Sequence, residues 1–254
     1  MKIVPISCTF SIIIPVLHET EVINTQLESL KHIATDEPFE IIVVDGSPTQ
    51  DTLRVISDTN VKKYSCKQGR GCQMNEGTAH ASGDILVFLH ADTFLPTNAL
   101  SVIKETLENK KYAGGAFTLR IQSHNTLLRM IAKFSTFRSQ ITRAPYGDQV
   151  IFLRKSCFDA IGGYKDISLM EDVDLMRRIK KKKGEIIILP HSVITSDRRW
   201  KQEGLFYTAL RNSIIIFLYW CGIPVEKLAK FYPWRNNSPS LNKKEENDLP
   251  HTNR

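Results

Sequence analysis

The chain has 254 residues, 42% hydrophobic and 24% charged side chains, and a formal net charge of +7. That length buries a large core, and the balance is ordinary for a soluble globular protein. Five scattered cysteines (Cys8, Cys66, Cys72, Cys157, Cys221) include no Cys-x-x-Cys pair, which argues against zinc and redox motifs and for reduced thiols in a cytosolic compartment.

In chain order, Met1-Lys2 precede an apolar stretch broken by Pro5, Ser7, Thr9, Ser11 and Pro15, with no small-residue cleavage site. It reads as the approach to a first strand and not as a signal peptide. Residues 10–16 are that strand, and Glu19 to Ile33 has helical spacing. Residues 39–44 form a second strand ending in the turn Asp45-Gly46-Ser47-Pro48. A short helix (52–56), a third strand (61–66) and a helix opened by Gly69-Arg70-Gly71 and running to Ala81 follow. Residues 85–89 are five consecutive apolar residues, as in a strand buried on both faces of a parallel sheet. Strand–helix alternation of this kind predicts an α/β fold with a mixed, mainly parallel sheet flanked by helices.

After a helix over 97–107 the pattern changes. Residues 116–121 alternate like an edge or antiparallel strand, 127–137 are helical, and 149–153 are another strand. A turn at Gly162-Gly163-Tyr164 leads to a helix over 170–183, stopped by Gly184, and then a strand over 185–189. Residues 202–222 form a helix whose apolar run, 213–221, is about half a membrane span. It is read as a core helix, with a helix at a membrane interface as its rival. The tail 235–254 lacks apolar spacing and is expected to be disordered. The expected organisation is one domain over 1–234 with two lobes, about 1–115 on the nucleotide side and about 116–234 on the acceptor side.

The residues with chemistry cluster at predicted strand ends. His90 and Asp92, two apart in extended chain, leave the carboxyl edge of the sheet together, and that edge is where open α/β sheets bind ligands. A carboxylate beside an imidazole suits a divalent cation carrying phosphate oxygens. Asp45 offers an acceptor for a base or ribose, or is a turn former; Arg70 offers a donor fork for phosphate, or is merely exposed. Ser168 and Glu171 have capping-box spacing, and acidic residues in a first turn suit the helix dipole without any catalysis. Asp172 has no such local partner. Arg198-Arg199-Trp200 reads as a diphosphate or phosphate contact with an indole that stacks on a sugar, or as a basic turn with a packed Trp. Asp148, before a strand, is a substrate contact or a turn residue.

Six pieces in order resemble the inverting glycosyltransferases of family 2, which have the nucleotide-sugar-binding GT-A fold. They are residues 11–19, 41–47, 69–75, 88–93, 170–175 and 197–200, and the likeness covers roughly 10 to 232. The resemblance implies donor contacts from Pro15, Glu19, Asp45, Arg70, Asn75, His90, Arg198, Arg199 and Trp200. It implies a divalent metal, Mn or Mg, on Asp92, the general base at Asp172, and Asp148 and Glu171 on the acceptor side. His90 departs from the family, which commonly has its first aspartate there, and Asp197 stands near the glutamine of a Gln-x-x-Arg-Trp box. The implied activity is metal-dependent transfer of a sugar, with inversion, from a nucleotide-diphosphate donor (a UDP-sugar by analogy) to a hydroxyl, with a lipid-linked acceptor as one candidate.

Three rival readings fit the sequence less well. A nucleotidyltransferase of similar fold, like a dinucleotide-binding dehydrogenase, should carry a glycine-rich loop after its first strand, and residues 15–19 contain no glycine. A non-catalytic anionic-surface module would use the basic run 177–183, otherwise a solvated helix face, but leaves Asp92 and Asp172 without purpose. No nucleic-acid partner is expected. The expected location is cytoplasmic, with contact at the inner face of a membrane as an option.

Overall fold

The computed structural model describes residues 9–229 and 231, without the side chains of Arg199, Phe206, Ser213 and Trp220. Cys8 and the predicted tail 235–254 lie outside the described residues. Four parallel strands, β1 (Phe10–Val16), β2 (Phe39–Asp45), β3 (Lys62–Ser65) and β4 (Ile85–Phe88), stand in the order β3-β2-β1-β4. All seven residues of β1 are buried. Ile12 and Ile14 enter one core cluster and Ile13 the other, so the strand is apolar apart from Ser11 because both its faces are covered. Helices α1 (Ile23–Lys31) and α4 (Ala99–Glu108) cover the first face, and α3 (Arg70–Ala79) covers the second. The short α2 (Asp51–Val55) links β2 to β3. Truncating Ile13 to alanine should cost about 2–5 kcal/mol.

The start of β2 is fastened by charge. Glu40 accepts from Ser11 Oγ (2.6 Å), the Ser82 backbone N–H (2.6 Å) and Lys62 Nζ (2.5 Å). Burial works against its ionised form, but these donors hold the carboxyl at about 2.

The sheet continues as β4-β7-β6-β8-β5, eight strands among the described residues. The added strands are β5 (Thr93–Phe94), β6 (Tyr112–Gln122), β7 (Ile151–Arg154) and β8 (Glu185–Ser196). The strand expected at 116–121 is an interior strand and not an edge: β6 is antiparallel to β7 but parallel to β8. At Gly114 an added Cβ would sit 2.2 Å from the Phe152 carbonyl oxygen, so the β6–β7 approach requires glycine. The strand expected to stop at Leu189 runs to Ser196. Pro190, which cannot donate to the ladder, falls where the register with β6 shifts between Ala116 and Thr118, and pairing resumes at Ser192.

Helix α5 (Thr126–Thr142) outruns the predicted 127–137, capped by Asn125 Oδ1, which accepts from the Leu127 N–H at 2.9 Å. Residues 147–149 are a 3₁₀ turn, α6 (Lys155–Ala160) was not expected, and α7 spans Glu171–Lys181. The helix expected over 202–222 is two helices, α8 (Arg198–Glu203) and α9 (Leu205–Trp220), broken at Gly204 with φ +86°. A short α10 (Val225–Ala229) closes the described fold. The core-helix reading of α9 is also corrected. Of its described side chains, Thr208, Arg211 and Ile215 are buried, while Tyr207, Leu210, Ile214 and Phe217 are exposed. Among the described residues no helix is long and apolar enough to cross a membrane.

Candidate active site

The carboxyl ends of β1 and β4, with the start of α3, open into two adjoining cavities of about 250 and 210 Å³. Arg70, His90, Asp92 and Leu169 line both. Neither cavity alone reaches the ~300 Å³ of an ordinary ligand pocket, which suits one cleft divided between two reactants. Pro15, Glu19, Gln73 and Arg198 belong to the first cavity; Tyr146, Asp148, Asp172, Trp200 and Asn212 belong to the second. Asp92 and Asp172, eighty positions apart in the chain, therefore share a wall-to-wall space.

On the first side, Asp92 is fixed through its backbone: its carbonyl accepts from the Ser196 N–H at 3.1 Å, tying it to the end of β8. Beneath it Thr93 Oγ1 donates to Thr195 Oγ1 (3.0 Å), and Gln26 Nε2 donates to the Thr93 carbonyl (2.9 Å). The Asp92 carboxylate itself has only a long 3.5 Å contact from Thr93 Oγ1 among the described residues, leaving its lone pairs toward the cleft. Arg198 reaches Glu19 at 2.5 Å. Burial pushes the Glu19 carboxyl up from its ordinary value, against the pull of that guanidinium. Arg70 Nε meets the buried Glu171 at 2.7 Å. The Glu171 carboxylate raises the Arg70 pKa, and Asp172 and Asp148 add to it despite desolvation.

Three expected contacts take other positions. Glu171 lines neither cavity and serves as the buried counter-charge that aims Arg70; Met170, not Ser168, occupies the cap of α7, so no Ser168 capping box forms. Asn75 is a clamp: its Nδ2 donates to the Tyr164 carbonyl (2.8 Å) and its Oδ1 accepts from the Tyr164 N–H (2.9 Å). Asp45 is fully buried at the end of β2, with Oδ1 accepting from the Ser47 N–H at 2.7 Å and Oδ2 without a hydrogen-bond partner among the described residues. The side chain of Arg199 lies outside the described residues. Asp197 is buried and paired with Lys201 at 2.8 Å.

On the second side, Asp172 Oδ2 accepts from the Gly147 N–H at 2.8 Å and Oδ1 from the Val173 N–H at 2.7 Å. Each oxygen keeps a second lone pair for a substrate proton. The turn carrying Gly147 is anchored by Gln149, whose Nε2 donates to the Phe117 carbonyl (3.0 Å) and whose Oε1 accepts from Ser139 Oγ (2.5 Å). Two non-glycine residues with positive φ flank the site, Val150 at 54° and Met170 at 63°. Such conformations are uncommon, and for a β-branched residue an outlier, so the fold holds this turn and helix start under strain. His90 lies against Gly147, where an added Cβ would stand 3.0 Å from His90 Nε2. Arg138 stacks over the Tyr146 ring at 3.6 Å.

Sequence reasoning missed Gln73, Gly147 and Asn212. Gln73 Nε2 donates to the carbonyls of both Val16 (2.7 Å) and Val44 (2.8 Å), clipping the ends of β1 and β2 together. Its signal was its place three residues after Arg70 on one helix face. Gly147 acts through its backbone, and Asn212 sits in a helix that sequence assigned to the core.

Among the described residues no three His, Cys, Asp or Glu side chains gather as a closed metal cage. Asp92 with His90 beside it does fit a metal of the Mg or Mn kind, which takes one or two protein ligands and completes its shell with phosphate oxygens and water.

A family model described as Glycosyl transferase family 2 matches residues 11–165. The chain is 25% identical over 219 residues to the "Probable glycosyltransferase YdaM" of Bacillus subtilis (strain 168), covering 76% of this chain and 50% of that one. Over 97 residues it is 29% identical to a "Glucosyl-3-phosphoglycerate synthase" of Mycobacterium tuberculosis, covering 35% of this chain and 30% of that one. The chain thus spans half or less of the length of these relatives. Among solved structures, the mannosyltransferase PcManGT from Pyrobaculum calidifontis, in complex with GDP-Man and Mn²⁺, superposes with a TM-score of 0.63 at 18% identity, covering 80% of this chain and 59% of that one. S. aureus TarS 1–349 in complex with UDP-GlcNAc superposes at 0.59 with 18% identity, covering 74% and 58%. The sheet, its order and these likenesses are those of the GT-A fold, and the chain belongs to glycosyl transferase family 2.

Proposed function

We propose that this chain transfers a sugar from a nucleotide-diphosphate donor to an acceptor hydroxyl, inverting the anomeric carbon. The observation that carries the reading is the shared lining of the cleft by Asp92 and Asp172, one at a strand end and one at a helix start. Asp92, with His90, would hold a divalent ion on the donor diphosphate, where the ion would offset charge on the departing group. Arg70, aimed by Glu171, faces the same space and stabilises that charge from the protein side. Pro15, Glu19 and Arg198 bound the donor cavity, and Trp200 offers an apolar ring to a sugar face on the acceptor side. Asp172 accepts the proton of the attacking hydroxyl, with the Gly147 N–H fixing its orientation. Asp148 lines the same cavity and is a candidate acceptor contact.

A uridine nucleotide is the first donor to test. TarS binds UDP-GlcNAc and PcManGT binds GDP-Man with Mn²⁺, so guanosine donors belong in the same screen. A lipid-linked acceptor taken up at a cytoplasmic membrane face is part of the proposal. The test is a donor-hydrolysis screen of nucleotide sugars with manganese or magnesium, reading free nucleotide. Release from one donor class, dependent on the ion and lost in Asp92→Ala, supports the reading; no release from any donor counts against it.

A further inference from the structure

We infer that the outer faces of α5 and α9 form a docking surface for an anionic lipid bilayer. Met130, Phe134, Phe137 and Ile141 follow one another at four-, three- and four-residue steps along α5, and all are exposed, Phe134 at 69%. Tyr207, Leu210, Ile214 and Phe217 repeat the pattern along α9, with Phe217 at 67%. Each set makes one stripe at helical periodicity. Exposed apolar residues placed singly need no explanation, but four at helical spacing on each of two helices mark an interaction surface.

The charge around them selects the occupant. Residues 109–147 contain no Asp or Glu and seven Lys or Arg, and residues 204–225 contain no Asp or Glu either. At about 100° per residue, Arg129 and Lys133 fall on one side of the α5 stripe and Arg138 on the other. Lys180 Nζ donates to the Thr142 carbonyl, which brings the basic run 177–183 to the same end of α5. The α5 stripe, edged by cations and free of carboxylates, has what an interfacial helix needs on anionic lipid, and the α9 stripe adds apolar area without a carboxylate. A second copy of this surface would set cation against cation, which disfavours self-pairing.

The two helices also share a location. Leu128, Ala132 and Ile131 of α5 and Leu205 of α9 pack on one core cluster. Tyr146, just after α5, and Asn212 and Ile216 of α9 line the second cavity. The docked surface would therefore border the acceptor side of the cleft. It does not depend on the transfer chemistry, because none of the stripe residues lines either cavity.

The test is flotation of the full chain with vesicles of phosphatidylcholine alone, or with about one-third phosphatidylglycerol. The protein should float with the anionic vesicles, less so at high salt, and remain behind with the neutral ones. Phe134→Ser/Phe137→Ser should weaken partitioning about tenfold or more, and Phe217→Ser, on the other helix, should weaken it independently. Unchanged circular dichroism melts and donor hydrolysis would show both variants folded. Absence of flotation by the wild type overturns the inference, as does flotation untouched by both sets of variants. Sedimentation showing a wild-type dimer that Phe134→Ser/Phe137→Ser converts to a monomer, with no vesicle binding, would make the face a self-association surface and also overturn it.

Discussion

The two walls of the cleft are built by different means. The proposed donor wall stands on the parallel ladder of β1, β2 and β4, with every residue of β1 buried and two buried amides, Gln73 and Gln26, bracing the strand ends. The proposed acceptor wall is a 3₁₀ turn, a helix start and one side of α9, held by Gln149 and by backbone at positive φ in Val150 and Met170. Such strain costs on the order of 1–3 kcal/mol per residue. The first wall is supported by hydrogen-bond ladders within a core. The second wall holds Asp172, the proposed base, by contacts between distant segments.

Substitutions on each wall should separate these behaviours. Asp172→Asn breaks the acceptor wall alone: turnover should fall by roughly 10²–10⁴ with donor affinity retained, read from steady-state rates alongside donor calorimetry. An unchanged rate would remove Asp172 as the base. Asp92→Ala breaks the donor wall, and calorimetry with and without manganese should show metal-dependent donor binding abolished; isotherms identical to the wild type would refute the assignment. Gln73→Ala tests the brace below. It leaves the Val16 and Val44 carbonyls without their side-chain donor and should lower urea-unfolding stability by about 2 kcal/mol. A loss under about 0.5 kcal/mol would mean that the strand ends do not need it.

The smallest effect concerns pH. The Glu40 carboxyl sits at about 2 in the fold against an ordinary 4.5, so its stabilisation is fully present above 4.5 and is lost as pH falls toward 2. Discounted for solvent screening of the partly exposed Lys62 partner, its worth is on the order of 1 kcal/mol. Glu40→Gln should melt lower than the wild type at neutral pH and lose less on acidification. Parallel melting curves for the two proteins across that window would exclude the clamp.

Legibility followed the same division. Strand β4 was readable because burial on both faces writes an unbroken apolar run. His90 and Asp92 were picked out by reading the chain there as extended, but β4 ends at Phe88 and Asp92 lies on a turn closed by the Thr93 N–H on the His90 carbonyl at 3.2 Å. Strand β8 was cut short at Leu189 because Pro190, His191 and Ser192 end the apolar pattern, while the partner that lets them continue, β6, lies some seventy residues earlier. The break at Gly204 went unread because helical spacing continues past it and a single glycine inside such a pattern is tolerated. Glu171 looked like a capping residue because spacing alone cannot show that Arg70, a hundred positions away, is its partner.

The amino-acid order by itself determined the strand–helix alternation, the family likeness and the set of polar groups at the strand ends, since those follow from local periodicity and short motifs. Only the tertiary structure decided which of those groups face the cleft and which brace it, that Gly147 holds Asp172 through a backbone N–H, and that α9 turns an apolar stripe outward. Each of these depends on contacts between segments far apart in the chain, and no local pattern records them.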